Sequence, residues 1–304
     1  MKLELKSIFD ITDLGEPAKI VGIEIERDCA KGTIMISQKQ YIESILQKEG
    51  LTDAHPVAVP MDPNIQLQPS EGEAQDKSNN FASLIRSLMY LAMATRPDIA
   101  YAVFRLGSYM ANPLMSHWAA AKRVLRYLSG TRSYGITYHA SEVRPGENQF
   151  FGYSDVSYAN NDDATSISGY VFSMGGGAIT WGSRKQTSVS LSSTESKYVA
   201  LADTAREVTW LRNLLEGLGY EQRTPTKLYG DNNGALAIAQ NPQYHKRTKH
   251  FDTQNHYIRQ KVKEKVIEIE YCPTSKMTAD IFTKALPKPK FQLHRTELGF
   301  PAPA

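Results

Sequence analysis

The order of apolar and polar positions changes character twice along the chain. Apolar and charged residues alternate in Ile20-Val21-Gly22-Ile23-Glu24-Ile25-Glu26, and after Lys31-Gly32 a second short run follows in Thr33-Ile34-Met35-Ile36. A period of two interrupted by a glycine predicts a β-hairpin with a longer loop. The period then lengthens: Tyr41, Ile42, Ile45 and Leu46 fall on one stripe of a helix from about Gln38 to Glu49, with Ser37 as its cap and Gly50 as its stop. Pro56, Pro60, Pro63 and Pro69, followed by the polar run 70–80, predict a surface linker or long loop. Residues 81–130 predict three helices, on Leu84/Leu88/Leu91, Ile99/Val103/Leu106/Met110 and Ala121/Val124/Leu125/Leu128. Pro97 suits the first turn of the second, Asn112-Pro113 separates it from the third, and Gly130 closes the third.

The second half is mixed. Strands are predicted at Phe150 to Ser154, Ser168 to Met174 and Ala178 to Gly182, the last two joined through Gly175-Gly176-Gly177. A long helix from near Ser192 to about Leu218 buries Tyr198, Leu201, Ala202, Ala205, Val208, Leu211 and Leu215. Then come strand Lys227 to Tyr229, a helix from about Asn233 to Gln240, a basic helical stretch to about Lys265, strand Val266 to Tyr271 and a helix from about Thr278 to Leu286. This order, βββαβα(α)βα, predicts a mixed sheet flanked by helices. The turn-rich Arg144-Pro145-Gly146-Glu147-Asn148 marks the boundary between two units.

Composition narrows the function classes. The 304 residues suffice for two cores, and 41% hydrophobic with 22% charged residues is ordinary globular usage. The two cysteines, Cys29 and Cys272, cannot make a disulfide framework, and no closely spaced Cys/His set suits zinc. The opening residues lack the apolar core of a signal peptide, and no run of eighteen uncharged apolar residues occurs. The expectation is therefore a non-secreted protein without a membrane partner. Thirty-five Lys+Arg against 32 Asp+Glu leave a net charge of +3, too little by itself to announce nucleic acid.

Candidate chemistry lies in four acids at predicted element ends. Asp155 ends the first strand of the second half, Glu195 lies in the first turn of the long helix, Asp231 ends the fourth strand and Asp280 opens the last helix. If the first and fourth strands are neighbours, their carboxylates converge. An all-oxygen cluster suits magnesium, and two ions about 4 Å apart would support in-line phosphodiester hydrolysis. Each acid also has a structural reading. Ser192-x-x-Glu195 fits a helix capping box, Asp155 and Asp231 fit turns, and Asp280 fits a first-turn dipole position.

These motifs carry a family resemblance. Tyr153-Ser154-Asp155, Leu191-Ser192-Ser193-Thr194-Glu195, Asp231-Asn232, His245-Lys246-Arg247-Thr248-Lys249-His250 and Ala279-Asp280-Ile281-Phe282-Thr283-Lys284 resemble the ribonuclease H domain of copia-type LTR-retrotransposon Pol. Asp13-Leu14-Gly15-Glu16 with Gly22-Ile23-Glu24 resembles the end of the reverse-transcriptase palm; Ser37-Gln38-Lys39-Gln40-Tyr41-Ile42 and Arg96-Pro97-Asp98-Ile99 resemble its thumb and connection. The resemblance implies an α/β ribonuclease H-like mixed five-stranded sheet flanked by helices, about 146–304. A smaller α+β palm-end, thumb and connection remnant, about 1–140, would precede it. It implies an endonuclease cutting the RNA strand of RNA/DNA hybrids, with Asp155, Glu195, Asp231 and Asp280 holding two Mg²⁺ ions that Mn²⁺ can replace. Implied partners are the hybrid and the polymerase portion of Pol, and the implied place is the cytoplasm, in a virus-like particle, or the nucleus.

There are departures. The Tyr-x-Asp-Asp polymerase motif is absent, so polymerisation by this chain alone is not expected. Tyr158 stands where the family commonly has Trp, Lys197 stands in place of a usual acidic residue, and no His precedes Asp280 in Cys272-Pro273-Thr274-Ser275-Lys276. The alternative is therefore a catalytically inactive or decayed Pol fragment that binds hybrid or the polymerase portion. An integrase or resolvase of the same superfold is a third reading, disfavoured by the connection-like helices.

Basic residues supply candidate nucleic-acid contacts. From His245 to Lys265 seven cations, among them Lys246, Arg247 and Lys249, face only Asp252 and Glu264, which suits a phosphate backbone or a solvated helix face. Arg184 and Lys185 follow Trp181 in a basic turn where a hybrid's backbone would rest; Trp181 itself reads as core. His245, His250 and His256 are shuttle candidates or plain surface residues.

Overall fold

A computed structural model describes residues 7–10, 12, 15–69, 80–142, 149–160, 163–240 and 252–302. The first half builds an antiparallel sheet in the order β1-β2-β3-β4, from β1 (Lys19–Ile20), β2 (Ile23–Asp28), β3 (Thr33–Ser37) and β4 (Ile136–His139). The alternation expected to run unbroken from Ile20 is interrupted by a tight turn, with Val21 and Gly22 both at positive φ. Helix α1 (Lys39–Lys48) buries Ile42, Ile45 and Leu46. It is not capped by Ser37: Glu24 on β2 accepts from the Gln40 N–H at 3.0 Å, so the hairpin itself satisfies an orphan donor of the helix.

Helices α2 (Asn80–Ala94), α3 (Ala100–Gly107) and α4 (Met115–Gly130) follow, with a 3₁₀ turn at Pro97–Ile99 leading into α3. Their apolar stripes bury Leu84, Leu88, Leu91, Val103, Leu106, Val124, Leu125 and Leu128 together. Strand β4 went unpredicted because Ile136-Thr137-Tyr138-His139 is too short to show a period; β3 recruits it, pairing Ile36 with Ile136.

The second sheet has the order β7-β6-β5-β8-β9, from β5 (Phe151–Ser157), β6 (Ile167–Met174), β7 (Gly177–Lys185), β8 (Thr226–Gly230) and β9 (Ile267–Tyr271). β7, β6 and β5 are antiparallel, whereas β5, β8 and β9 are parallel. Gly175 and Gly176, both at positive φ, make the two-residue turn between β6 and β7. One face of this sheet packs on α5 (Ser193–Gly217), α6 (Asn233–Gln240) and α7 (Asp252–Lys263), through Phe172, Tyr198, Leu201, Leu211, Leu228 and Ile258.

The opposite face of the second sheet joins the core of the first half. Val171, Ala178, Ile281, Phe282, Phe291 and Phe300 belong to the same buried cluster as the α2–α4 stripes. The Trp181 indole donates to the Ala92 carbonyl at 2.7 Å, and the Thr137 N–H to the Gly299 carbonyl at 2.9 Å. Beneath this join lies a buried polar knot. Arg96 donates to both carboxylate oxygens of Asp98 at 2.9 and 2.7 Å and to the Thr131 carbonyl at 3.0 Å, while the Tyr127 hydroxyl donates to Asp98 at 2.6 Å.

The expected helix from Thr278 to Leu286 is only a 3₁₀ turn, Thr278–Phe282, and a true helix, α8 (Lys288–Glu297), follows Pro287. Pro287 and Pro289 sit at its N-terminal end, where a missing N–H costs nothing.

Candidate functional site: a carboxylate cluster at the strand ends

Adjacent parallel strands place their C-terminal ends side by side, the usual location of sites in open sheets. Asp155 lies two residues inside the end of β5 rather than at it, and Asp231 follows directly on Gly230, the last residue of β8. β5 pairs with β8 in parallel, as the convergence of these two acids requires. Asp280 arrives from the 3₁₀ turn, which lies against β6 beside Asp155. Gly169 on β6, the register partner of Asp155, makes that approach possible: a Cβ there would come within 2.7 Å of Phe282 and Thr283 side-chain carbons.

All three carboxylates are buried, with side-chain exposures of 2% for Asp155, 4% for Asp231 and 0% for Asp280. Burial raises the pKa of Asp155, and its hydrogen bond to Asp280 and the neighbouring negative charges add to the shift, so it is pushed up to about 7. Burial pushes Asp280 in the same direction, but the hydrogen bond from Asp155 and those from Lys284 and Lys290 prevail and lower it to about 2.

Lys197 on α5 enters this cluster. Its ammonium lies 3.3 Å from Asp155 Oδ1 and ion-pairs with Asp231 Oδ1. Burial works against its charge, yet the pairing with Asp155 and Asp231 raises its pKa. The second oxygens are also engaged: Thr283 donates to Asp155 Oδ2 at 3.1 Å and Thr274 to Asp231 Oδ2 at 2.8 Å. Lys284 pairs with Asp280 Oδ1 at 2.7 Å and Lys290 with Asp280 Oδ2. Three carboxylates thus meet three ammonium groups, and each of the six oxygens faces a donor or a cation.

Glu195 stands apart from this cluster. Its N–H donates to the cap oxygen Ser192 Oγ at 3.1 Å, while its carboxylate accepts from the N–H of Leu191, one residue before the cap, at 2.6 Å, so the helix start engages it without the reciprocal bond to the Ser192 N–H. Among the described residues, no hydrogen bond or ion pair joins Glu195 to the three aspartates. Two positions along a helix differ by about 200° in direction, so a helix that aims residue 197 at the cluster aims residue 195 away from it.

The same geometry bears on a divalent metal. Among the described residues no group of three His, Cys, Asp or Glu is arranged to hold one. With Lys197 between Asp155 and Asp231 and the local charge already balanced, the donor set does not fit a resident dication.

The remaining candidates fall elsewhere. Arg184 and Lys185 are exposed at the end of β7, where Lys185 pairs with Asp163 at 2.5 Å. Lys246, Arg247, Lys249, His245 and His250 lie outside the described residues, as does the side chain of His256. Of the basic stretch that is described, Arg259 donates to the Ile238 carbonyl and Lys261 pairs with Glu264. Sequence reading missed Thr274, Thr283, Lys284 and Lys290 as members of the cluster; only the i,i+4 spacing of Asp280 and Lys284 gave any signal.

The comparisons with known proteins agree with the motif reading. Residues 1–63 match the family model described as reverse transcriptase (RNA-dependent DNA polymerase). The retrovirus-related Pol polyprotein from transposon TNT 1-94 of Nicotiana tabacum is 35% identical over 98% of this chain and 23% of its own length. An uncharacterized mitochondrial protein of Arabidopsis thaliana is 34% identical over 68% of this chain and 83% of its own length. The chain belongs to the copia-type retrotransposon Pol family.

This Pol chain spans less than a quarter of the length of the Pol polyprotein it matches. The expected α/β class holds: the Pol chain has a mixed five-stranded sheet flanked by helices. A solved ribonuclease H1 isolated from compost covers 45% of the Pol chain and 93% of its own length, at 14% identity and a TM-score of 0.36. Among the described residues, no helix is long and apolar enough to cross a membrane.

Proposed function

We propose that this chain is the ribonuclease H-type segment of a copia-type Pol that engages RNA/DNA hybrids, with residues 146–304 as the hybrid-directed unit. Residues 1–140, carrying the palm end, thumb and connection, face the polymerase portion. The observation that carries this reading is the pairing of β5 with β8, which brings Asp155 and Asp231 together beside Asp280 in a chain of Pol descent. Arg184 and Lys185 on the exposed end of β7 offer cations to a phosphate backbone, and Lys246, Arg247 and Lys249 add to them in sequence.

A second reading makes the chain a two-metal endonuclease that cuts the RNA strand, using Mg²⁺ or Mn²⁺ on Asp155, Asp231 and Asp280 with Glu195 as the fourth acid. The convergence of the three aspartates favours it. The pairing of Lys197 with Asp155 and Asp231, and the commitment of Glu195 to the helix cap, weigh against it. The geometry therefore supports hybrid binding without hydrolysis.

The test is a labelled RNA/DNA hybrid offered to the full chain in Mg²⁺ or Mn²⁺, with duplex DNA and duplex RNA as controls. Saturable binding that prefers the hybrid and weakens when Arg184 and Lys185 are both changed to Ala, with the RNA strand left intact, is the expected result. Metal-dependent cutting of the RNA strand that disappears in Asp155→Asn would establish the endonuclease instead, and absence of hybrid preference would reject the substrate class.

A further inference from the structure

Position 197 is the place where α5 faces the carboxylate cluster. Glu195, two residues earlier, is turned away and spent on the cap. The Lys197 ammonium touches one oxygen of Asp155 and one of Asp231, which come from different strands, so it bridges them as a metal ion would. Its side chain is 19% exposed, so the charge is held at the mouth of the cluster rather than out in water. On the far side Lys284 and Lys290 neutralise Asp280.

We propose that Lys197 is a tethered cation that takes the place of a divalent ion between Asp155 and Asp231, so that the centre is charge-complete without metal. A single exchange at this position opens the site to metal. The inference rests on the reading of Asp155, Asp231 and Asp280 as one centre, and its readout is cation binding. Failure of hybrid binding therefore leaves it standing, and its own failure leaves hybrid binding untouched.

Removing the ammonium leaves two buried carboxylates facing each other across the strand ends, an arrangement that repels until a cation or a proton returns. Lys197→Ala is expected to lose stability in metal-free buffer and to recover it when Mn²⁺ is added. Lys197→Glu places a third carboxylate on the Asp155–Asp231 pair, giving an all-oxygen set of the kind that holds Mg²⁺ or Mn²⁺.

The experiment is thermal unfolding of the full chain with Mn²⁺ as the only added probe, repeated by calorimetric titration. Wild type is expected to show no change. Lys197→Glu is expected to gain about 5 °C in Tm at roughly a hundredfold excess of Mn²⁺ over its Kd. Adding Asp231→Asn to Lys197→Glu should cancel the gain. A wild-type shift that Asp231→Asn abolishes would overturn the proposal, because the native site would then already hold metal. Should Lys197→Glu fail to fold even with Mn²⁺, Lys197→Ala decides: recovery by Mn²⁺ supports the tethered cation, and absence of recovery overturns it.

Discussion

Replacing Arg96 with Met tests how the two halves of this chain are held together. The guanidinium is fully buried, and it supplies both bonds to Asp98 and two more to Thr131, with Nη2 reaching Thr131 Oγ1 at 2.7 Å. Burial opposes its charge, but Asp98 more than compensates and raises its pKa. It also lies 5.6 Å from the ring centroid of Tyr127 and 5.7 Å from that of Phe300, so one side chain touches α4 and the C-terminal segment. Met fills much of the volume but leaves the Asp98 carboxylate buried with the Tyr127 hydroxyl as its remaining donor in this knot. Breaking a buried ion pair on one side costs about 3–5 kcal/mol. At roughly 2–4 °C per kcal/mol for a chain of this size class, Tm should fall by about 6–20 °C. Urea unfolding followed by tryptophan fluorescence reads this directly, since Trp118 and Trp181 both pack against the shared core. The double change Arg96→Met with Asp98→Leu should recover much of the loss, because it removes the stranded charge. A loss below about 1 kcal/mol for the single variant, or a double variant no better than the single, would refute the reasoning.

Two further outcomes follow from the same physics. Ser192→Ala and Glu195→Ala should each lower stability by about 1 kcal/mol in urea unfolding, the usual size of a lost helix cap, and Glu195→Ala should leave the Mn²⁺ response of Lys197→Glu in place; loss of that response would return Glu195 to the centre. The His117 ring accepts from the Leu114 N–H at Nδ1 and lies 3.1 Å from the Gln68 carbonyl at Nε2, so it works as a neutral ring, and burial holds its pKa below the usual value. With the folded pKa depressed, its contribution is complete above the unfolded value of about 6.5 and is lost as pH falls from there toward the folded value. Tm measured from pH 8 to 5 should therefore fall more steeply for wild type than for His117→Asn, and parallel profiles would refute it.

Most of the second half could be read from its pattern. The glycine turn and the 25-residue helix each leave a local signature, and the element order was enough to predict a mixed sheet, while the β5–β8 pairing entered only as a condition that the structure meets. What escaped was non-local. Strand β4 exists only because β3 offers an edge, and α8, which has prolines at its start, went unpredicted. The site divides in the same way. Asp155, Asp231 and Asp280 were legible as acids near element ends, whereas the choice between Glu195 and position 197 depends on which side of α5 meets the strand ends, and spacing alone does not set that phase. Of the capping box held open in the sequence, the hydrogen bonds show the Ser192 cap of the Glu195 N–H, while the Glu195 carboxylate turns to the Leu191 N–H instead of that of Ser192.

The cluster that joins α2–α4 to the β6 and β7 face also determines how the chain would behave if its backbone were cut. Val171, Ile281, Phe282, Phe291 and Phe300 share that cluster with residues that precede position 137, so separation would uncover part of each half's interior while the core under α5–α7 stayed within the second half. A protease acting between residues 142 and 149 would produce a nicked pair of fragments held by their common interior rather than a liberated C-terminal module. Co-expressed as two polypeptides, the halves would be obliged to find each other, as complementing fragments do.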